Sequence, residues 1–262
     1  MSANLVKTVE LTGGTITYLE AGSGLPVVFF HGGGGPEHKA RFMVDLGARF
    51  RVMAPARPGY DGSNGAGDTP RESAETMAAF VRAVAGQPVH LVAESAGGAP
   101  ACWLAILHPD LVESLVLAAP AAFAGHSPAR EGPPPTPPSP EDMERRLFGT
   151  SPAWSEPLTA EDLQRRQRNV QANMARMRPA NGNADLLERL HEITAPTLVL
   201  WGTGDQVIPP EQSQIYEKHI PHCHRIYIYG AAHALPVSAC DKFVRLVTDF
   251  IERGDAFVVN EP

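Results

Sequence analysis

The 262-residue sequence predicts an α/β protein, with a mostly parallel central sheet flanked by helices on both faces. Three observations carry that expectation. Val27–Phe30 and Leu115–Ala118 are short continuous apolar runs, the pattern of strands buried on both faces. Helical periodicity alternates with such runs, as in Ser73–Ala85, where Met77, Phe80, Val81 and Val84 share one face. Hairpin signals are confined to the start, where Val6–Leu11 and Thr15–Leu19 flank Gly13-Gly14.

The remaining elements follow in order. Val52–Ala54 is a short strand ending in a Pro55–Gly67 loop. Val89–Val92 is a strand, and Ala99–Leu107 a helix stopped by His108-Pro109. Seven prolines between 128 and 140 predict a stiff polyproline II spacer or a surface loop. Ser139-Pro140-Glu141-Asp142 and Thr159-Ala160-Glu161-Asp162 both look like helix starts, with a capping hydroxyl and acids in the first turn. The second helix should reach about Arg178. Thr197–Leu200 is a strand, Gln212–His219 a short helix and Ile226–Tyr229 the last strand. Phe243, Leu246, Val247, Phe250 and Ile251 mark the apolar face of a closing helix. Residues 1–120 and 193–262 should form one core domain, and 121–192 a helical insertion after the sixth strand.

Composition removes several function classes. A formal charge of −7 argues against a nucleic-acid partner, which demands a basic face. No apolar run approaches the ~18 residues of a membrane span. The first residues carry no charged-then-apolar leader, so a cytoplasmic location is expected. Cys102, Cys223 and Cys240 lack paired spacing and are expected to be reduced thiols.

The chemistry concentrates at strand ends. His90-Leu91-Val92-Ala93-Glu94-Ser95-Ala96-Gly97-Gly98 runs from a strand through a serine into a small-residue helix start. Such a tight corner exposes a hydroxyl on a rigid frame; the plain alternative is a helix-capping serine. A serine needs a base, and the base an orienting acid. Asp205 follows the Leu198–Gly202 run, and His233 follows Ile228–Gly230. The order Ser95, Asp205, His233 is a known order for such triads. Gly32–Gly35, after another buried strand, suits an oxyanion site: the Gly33 amide as one donor, with Gly34 as its alternative, and the Ala96 amide as the other. No Lys-Ser/Thr follows the glycines, which excludes a P-loop.

Over residues 14–252 the chain resembles the α/β-hydrolase superfamily, with local likeness to its carboxylesterases. His31–Gly35 is similar to the oxyanion loop, Ala93–Gly97 to the nucleophile elbow, and Trp201–Asp205 and Ala232-His233 to the acid and base segments. The resemblance implies the α/β-hydrolase fold, a cap formed by 121–192, and no metal or cofactor. Two departures stand out. Ala93 occupies the elbow's usual first glycine. In Pro55–Ser63, which resembles a D-x-x-G-x-G-x-S loop, Ala56 replaces the acid and Asp61 a glycine. A serine nucleophile also excludes the relatives that attack with aspartate, the haloalkane dehalogenases and related epoxide hydrolases.

The expected activity is hydrolysis of small carboxylic esters by water through an acyl-enzyme, in a monomer or homodimer. Carbon–carbon hydrolysis of an oxo-dienoate, perhydrolysis, or slow-turnover ligand sensing on the same triad are the alternatives. Glu94 reads as a buried acid that either tunes His233 or makes a structural hydrogen bond. Phe148, Trp154, Met174 and Met177 are candidate pocket residues, against a plain role in cap packing. The insertion's arginines should sit mostly in solvent, and one reaching inward would favour an acidic carbon–carbon substrate. His219, His222, Cys223 and His224 read as a loop before the last strand rather than a metal site.

Overall fold

The computed structural model describes residues 5–123, 138–177 and 183–257. Eight strands form one sheet: β1 (Leu5–Leu11), β2 (Gly14–Ala21), β3 (Pro26–Phe30), β4 (Arg51–Pro55), β5 (Val89–Glu94), β6 (Val112–Ala118), β7 (Thr197–Gly202) and β8 (Cys223–Ile228). Their spatial order is β1-β2-β4-β3-β5-β6-β7-β8. The β1–β2 hairpin and the β2–β4 pair are antiparallel, and every other pair is parallel. The chain builds outward from β3 to β4, then returns to place β5 on the other side of β3. That reversal opens a crevice beyond the carboxyl ends of β3 and β5, where open α/β sheets bind ligands.

Side chains alternate across the sheet with the two-residue period of extended backbone. Val28, Phe30, Leu91, Ala93, Val199 and Trp201 enter one core. It is covered by α2 (Pro70–Phe80), α3 (Gly98–Leu107), α6 (Ala184–Arg189) and α7 (Ser213–His219). Val27, Phe29, Val92, Leu198 and Leu200 enter the other, beneath α1 (Arg41–Gly47) and α9 (Cys240–Arg253). Between β6 and β7 lie α4 (Pro140–Phe148), α5 (Ala160–Met177) and α6, and the one-turn α8 (Leu235–Ser238) precedes α9.

The helix expected from Ser73 starts at Pro70. Thr69 and Glu72 cap each other reciprocally there, and proline suits the first helical position. Its last turn, Val81–Ala85, loosens into a π-helix that Gly86 closes at φ +67°. Helices α1, α6 and α8 span seven, six and four residues, too short for apolar periodicity to declare them. β8 begins at Cys223, so Cys223 and His224 belong to the strand instead of the preceding loop. Most of the proline run, Pro128 to Pro137, lies outside the described residues. The three cysteines are free thiols. Among the described residues no helix is long and apolar enough to cross a membrane, and no cluster of histidine, cysteine and acid side chains could hold a metal.

Phe243 of α9 is fully buried and meets Phe42 of α1 edge-on at 6.0 Å, joining the helices that cover one face. Phe243→Ala is expected to cost about 3–5 kcal/mol in urea unfolding, and a loss below about 1 kcal/mol would contradict this packing.

Candidate active site

The corner between β5 and α3 places Ser95 at φ +46°, a left-handed conformation that a side chain adopts at a cost. Close packing imposes it. A Cβ on Gly97 would sit 2.4 Å from the Phe30 carbonyl oxygen of β3, and one on Gly98 2.3 Å from Pro120 Cβ. Both positions therefore require glycine. The methyl of Ala93 is fully buried one strand position before Glu94, so the usual glycine is dispensable there.

The Ser95 hydroxyl caps no helix. Its Oγ donates to His233 Nε2 at 2.8 Å, and His233 Nδ1 donates to Asp205 Oδ2 at 2.7 Å, in the tautomer this network dictates. Asp205 Oδ1 accepts from the amides of Val207 and Ile208 at 2.8 and 2.9 Å, which fixes the carboxylate's orientation. Both His233 and Asp205 are buried. The histidine loop is tied to the end of α4, where the Arg146 and Leu147 carbonyls accept from the amides of His233 and Ala234.

The glycine loop is braced from behind. The Gly32 carbonyl accepts from His31 Nδ1 at 2.7 Å and from Arg57 Nη2 at 3.5 Å. In a trans peptide the next N–H points the opposite way, so this bracing turns the Gly33 amide away from His31 and Arg57. Among the described residues that amide has no acceptor. Ala96 opens a helical turn, where amides lack intrahelical partners. His31 itself is buried beside Arg57, and burial and then that cation hold its imidazole well below the usual range, hence neutral.

One face of α5 clamps the front of the loop. Asn169 Nδ2 donates to the Gly34 carbonyl at 2.9 Å and to Asp61 Oδ1 at 2.8 Å. Arg165 donates to the Pro36 carbonyl at 2.9 Å and to Asp61 Oδ2 at 3.2 Å. Burial pushes the Asp61 carboxyl up, but hydrogen bonds from His38 and Asn169 and the Arg165 charge outweigh it and hold it below the usual range.

Ser95, His233 and the loop open on a cavity of ≈ 50 Å³ walled by Phe42, Leu147, Phe148 and Val237. Arg166 of α5 also lines it. Its guanidinium contacts Glu37 at 3.1 Å and Glu144 at 3.0 Å and lies over the rings of Phe148 and Trp154. Glu94 completes the wall. Burial, reinforced by the nearby Glu37 carboxylate, pushes its carboxyl up to about 8, so it is neutral at pH 7.

The structure thus brings together Ser95, Asp205, His233, Gly33, Gly34, Ala96, Glu94 and Phe148. Trp154 does not line this cavity; it packs behind Arg166 and Phe148. Met174 is 63% exposed, because α5 turns polar residues inward. The side chain of Met177 lies outside the described residues. Neither sequence role for Glu94 has a contact behind it: both His233 ring nitrogens are engaged elsewhere, and no structural hydrogen bond to Glu94 forms among the described residues. No local sequence pattern marks Glu37, Arg166 or Asn169, and Arg166 is one of several arginines in the insertion.

Comparison with known proteins agrees with this architecture. Residues 27–246 match the model of the alpha/beta hydrolase family. The 2-hydroxy-6-oxo-6-phenylhexa-2,4-dienoate hydrolase of Burkholderia cepacia is 27% identical, over 90% of each chain. The pimeloyl-[acyl-carrier protein] methyl ester esterase of Neisseria meningitidis is also 27% identical, over 86% of this chain and 93% of its own. Among solved structures, a serine hydrolase involved in carbazole degradation superposes with a TM-score of 0.77 at 23% identity, over 95% of this chain and 99% of its own. With its sheet order, its serine corner and a family match spanning most of its length, the chain belongs to the alpha/beta hydrolase family.

Proposed function

We propose that the protein hydrolyses small carboxylic esters through an acyl-enzyme, with residues 121–192 acting as a cap over the site. The observation that carries this reading is the Ser95–His233–Asp205 relay, its acid and base buried, opening on a cavity with room for a short acyl group. Ser95 Oγ attacks the ester carbonyl carbon while His233 Nε2 takes its proton. Asp205 holds the imidazole in place and stabilises the imidazolium. The Gly33 and Ala96 amides receive the oxyanion. Collapse expels the alcohol, which takes the proton from His233. Water then attacks the acyl carbonyl, with His233 accepting its proton and returning it to Ser95 Oγ as the acid leaves.

Carbon–carbon hydrolysis is the second reading. It is favoured by the activity for which the Burkholderia cepacia relative is named and by the inward position of Arg166. The ester reading is preferred because Arg166 already holds two carboxylates, Glu37 and Glu144. A substrate carboxylate would have to displace one of them.

Three measurements test this account. Ser95→Ala should lower hydrolysis of p-nitrophenyl acetate by at least ~10³-fold with the fold retained. Turnover of a 2-hydroxy-6-oxo-dienoate with none of acetate or butyrate esters would move the assignment to carbon–carbon cleavage. Second, Glu94 is neutral below its raised value and anionic above it, and an anion beside the forming oxyanion raises the barrier. The kcat/KM of the wild type should therefore fall as pH rises through about 8, and Glu94→Gln should abolish that decline. Third, Asn169→Ala should reduce kcat by about 10-fold with KM nearly unchanged, because it frees the glycine loop without touching the cavity. An equal change in both constants would argue against a positioning role.

A further inference from the structure

Glu94 is a cavity residue whose chemistry the ester mechanism leaves unused. The residue is 9% exposed and borders the cavity that holds Ser95. Among the described residues nothing hydrogen-bonds it. Arg166, the nearest cation, is committed to Glu37 and Glu144. The Glu94 oxygens are not among the buried side-chain atoms left without a partner, so they keep accessible surface, and a carboxyl left open in the wall of a cavity beside a nucleophile points to a partner that arrives with the substrate.

The distances say where that partner sits. A carbon placed at the Cβ position of Gly32 would lie 3.4 Å from Ser95 Cβ, 3.6 Å from Glu94 Cδ and 3.7 Å from Glu94 Oε2. A single carbon at that point therefore lies in van der Waals contact with both the serine and the acid. An acyl group on Ser95 Oγ brings its second and third carbons into the same neighbourhood. Substituents there fall within reach of the carboxyl.

The charges select the substituent. Glu37 and Glu144 outnumber Arg166, which disfavours a carboxylate, and a cation would meet the guanidinium. A hydroxyl carries no charge, and it donates and accepts just as a protonated carboxyl does, so the two pair through complementary hydrogen bonds.

We infer that Glu94 is a specificity residue that hydrogen-bonds a hydroxyl on the second or third carbon of the acyl chain, which makes esters of small hydroxy acids the preferred substrates. This rests on the ester reading above. Its test compares ethyl 2-hydroxypropanoate with ethyl propanoate, and ethyl 3-hydroxybutanoate with ethyl butanoate, in the wild type, Glu94→Gln and Glu94→Leu. Each pair gives a ratio of kcat/KM corrected for its rate with hydroxide. The wild type should favour at least one hydroxyacyl ester by about 10-fold, since a site built around a substrate hydroxyl discriminates against its absence. Glu94→Gln, which keeps a donor and an acceptor, should retain most of that ratio, and Glu94→Leu should bring it near unity. A wild-type ratio near unity, or one that survives Glu94→Leu, overturns the assignment, as does a larger preference for ethyl 2-aminopropanoate. If no ester is cleaved, the ester reading fails separately. The inference is then judged from binding alone, by NMR titration of Ser95→Ala with 2-hydroxypropanamide and propanamide. Tighter binding of the hydroxy amide that disappears with Glu94→Leu supports it, and equal binding overturns it.

Discussion

The rest of the site depends on the absence of space at the corner after β5. The Phe30 carbonyl of β3 and the side chain of Pro120 occupy the room that a Cβ would need at Gly97 and Gly98. Helix α3 can therefore lie directly against the neighbouring strand ends. Ser95 absorbs the resulting turn at φ +46°, at a cost of about 1–3 kcal/mol. A second tight turn supports the first. Ala119, at φ +43°, follows β6, and the amide of Ala121 donates to the Ser95 carbonyl at 2.8 Å. The turns just past two adjacent strands, each holding one strained residue, are thus joined by one hydrogen bond. The nucleophile's position follows from packing in the sheet, before any contact with His233.

Electrostatics organise the other half of the site. Arg166, Glu37 and Glu144 come from α5, the loop after β3 and α4, and they meet in a cluster in which Arg166 and Glu37 are largely buried and Glu144 is half exposed, with the rings of Phe148 and Trp154 against the guanidinium. Such a cluster is weak evidence for stability, because desolvating each ion offsets much of their attraction. Its value is geometric, since only one arrangement of three distant segments satisfies the guanidinium. Its charge balance also reaches the reacting centre. Burial raises Glu37 as well as Glu94, and the Glu37 carboxylate helps keep Glu94 protonated. The neutral state of Glu94 is therefore set first by its own burial and reinforced from outside the corner it occupies.

The serine, acid and base were legible because each sits immediately past a buried strand, where chain direction alone brings short loops to one end of the sheet. The insertion was far less legible, and α5 shows why. It buries Arg166 and Asn169 and exposes Leu163, Val170 and Met174, the reverse of the pattern that binary hydrophobicity predicts. Apolarity alone makes Met174 a candidate for the pocket or for cap packing, and that rule fails where the surface beneath a helix is made of backbone carbonyls and carboxylates. The Gly34 and Pro36 carbonyls and the Asp61 carboxylate demand donors from α5. Only the folded loop reveals that demand. Short helices such as α1 and α8 escaped for a different reason, since one or two turns carry too few residues for a period.

Asp61 shows how a departure from a family pattern acquires a physical role. The loop it occupies resembles one with glycine at that position, and its φ of +44° is the conformation glycine would supply. Aspartate tolerates left-handed backbone better than most residues, so the fold accepts it. It adds a carboxylate that grips Arg165 and Asn169 of α5, while Asn169 also holds the Gly34 carbonyl. A glycine would have kept the turn and lost the grip. The substitution thus couples the insertion to the glycine loop, and any displacement of α5 removes the partner that fixes Gly34. Helix α5 and the glycine loop are consequently parts of one hydrogen-bonded assembly, which single substitutions on α5 will perturb together.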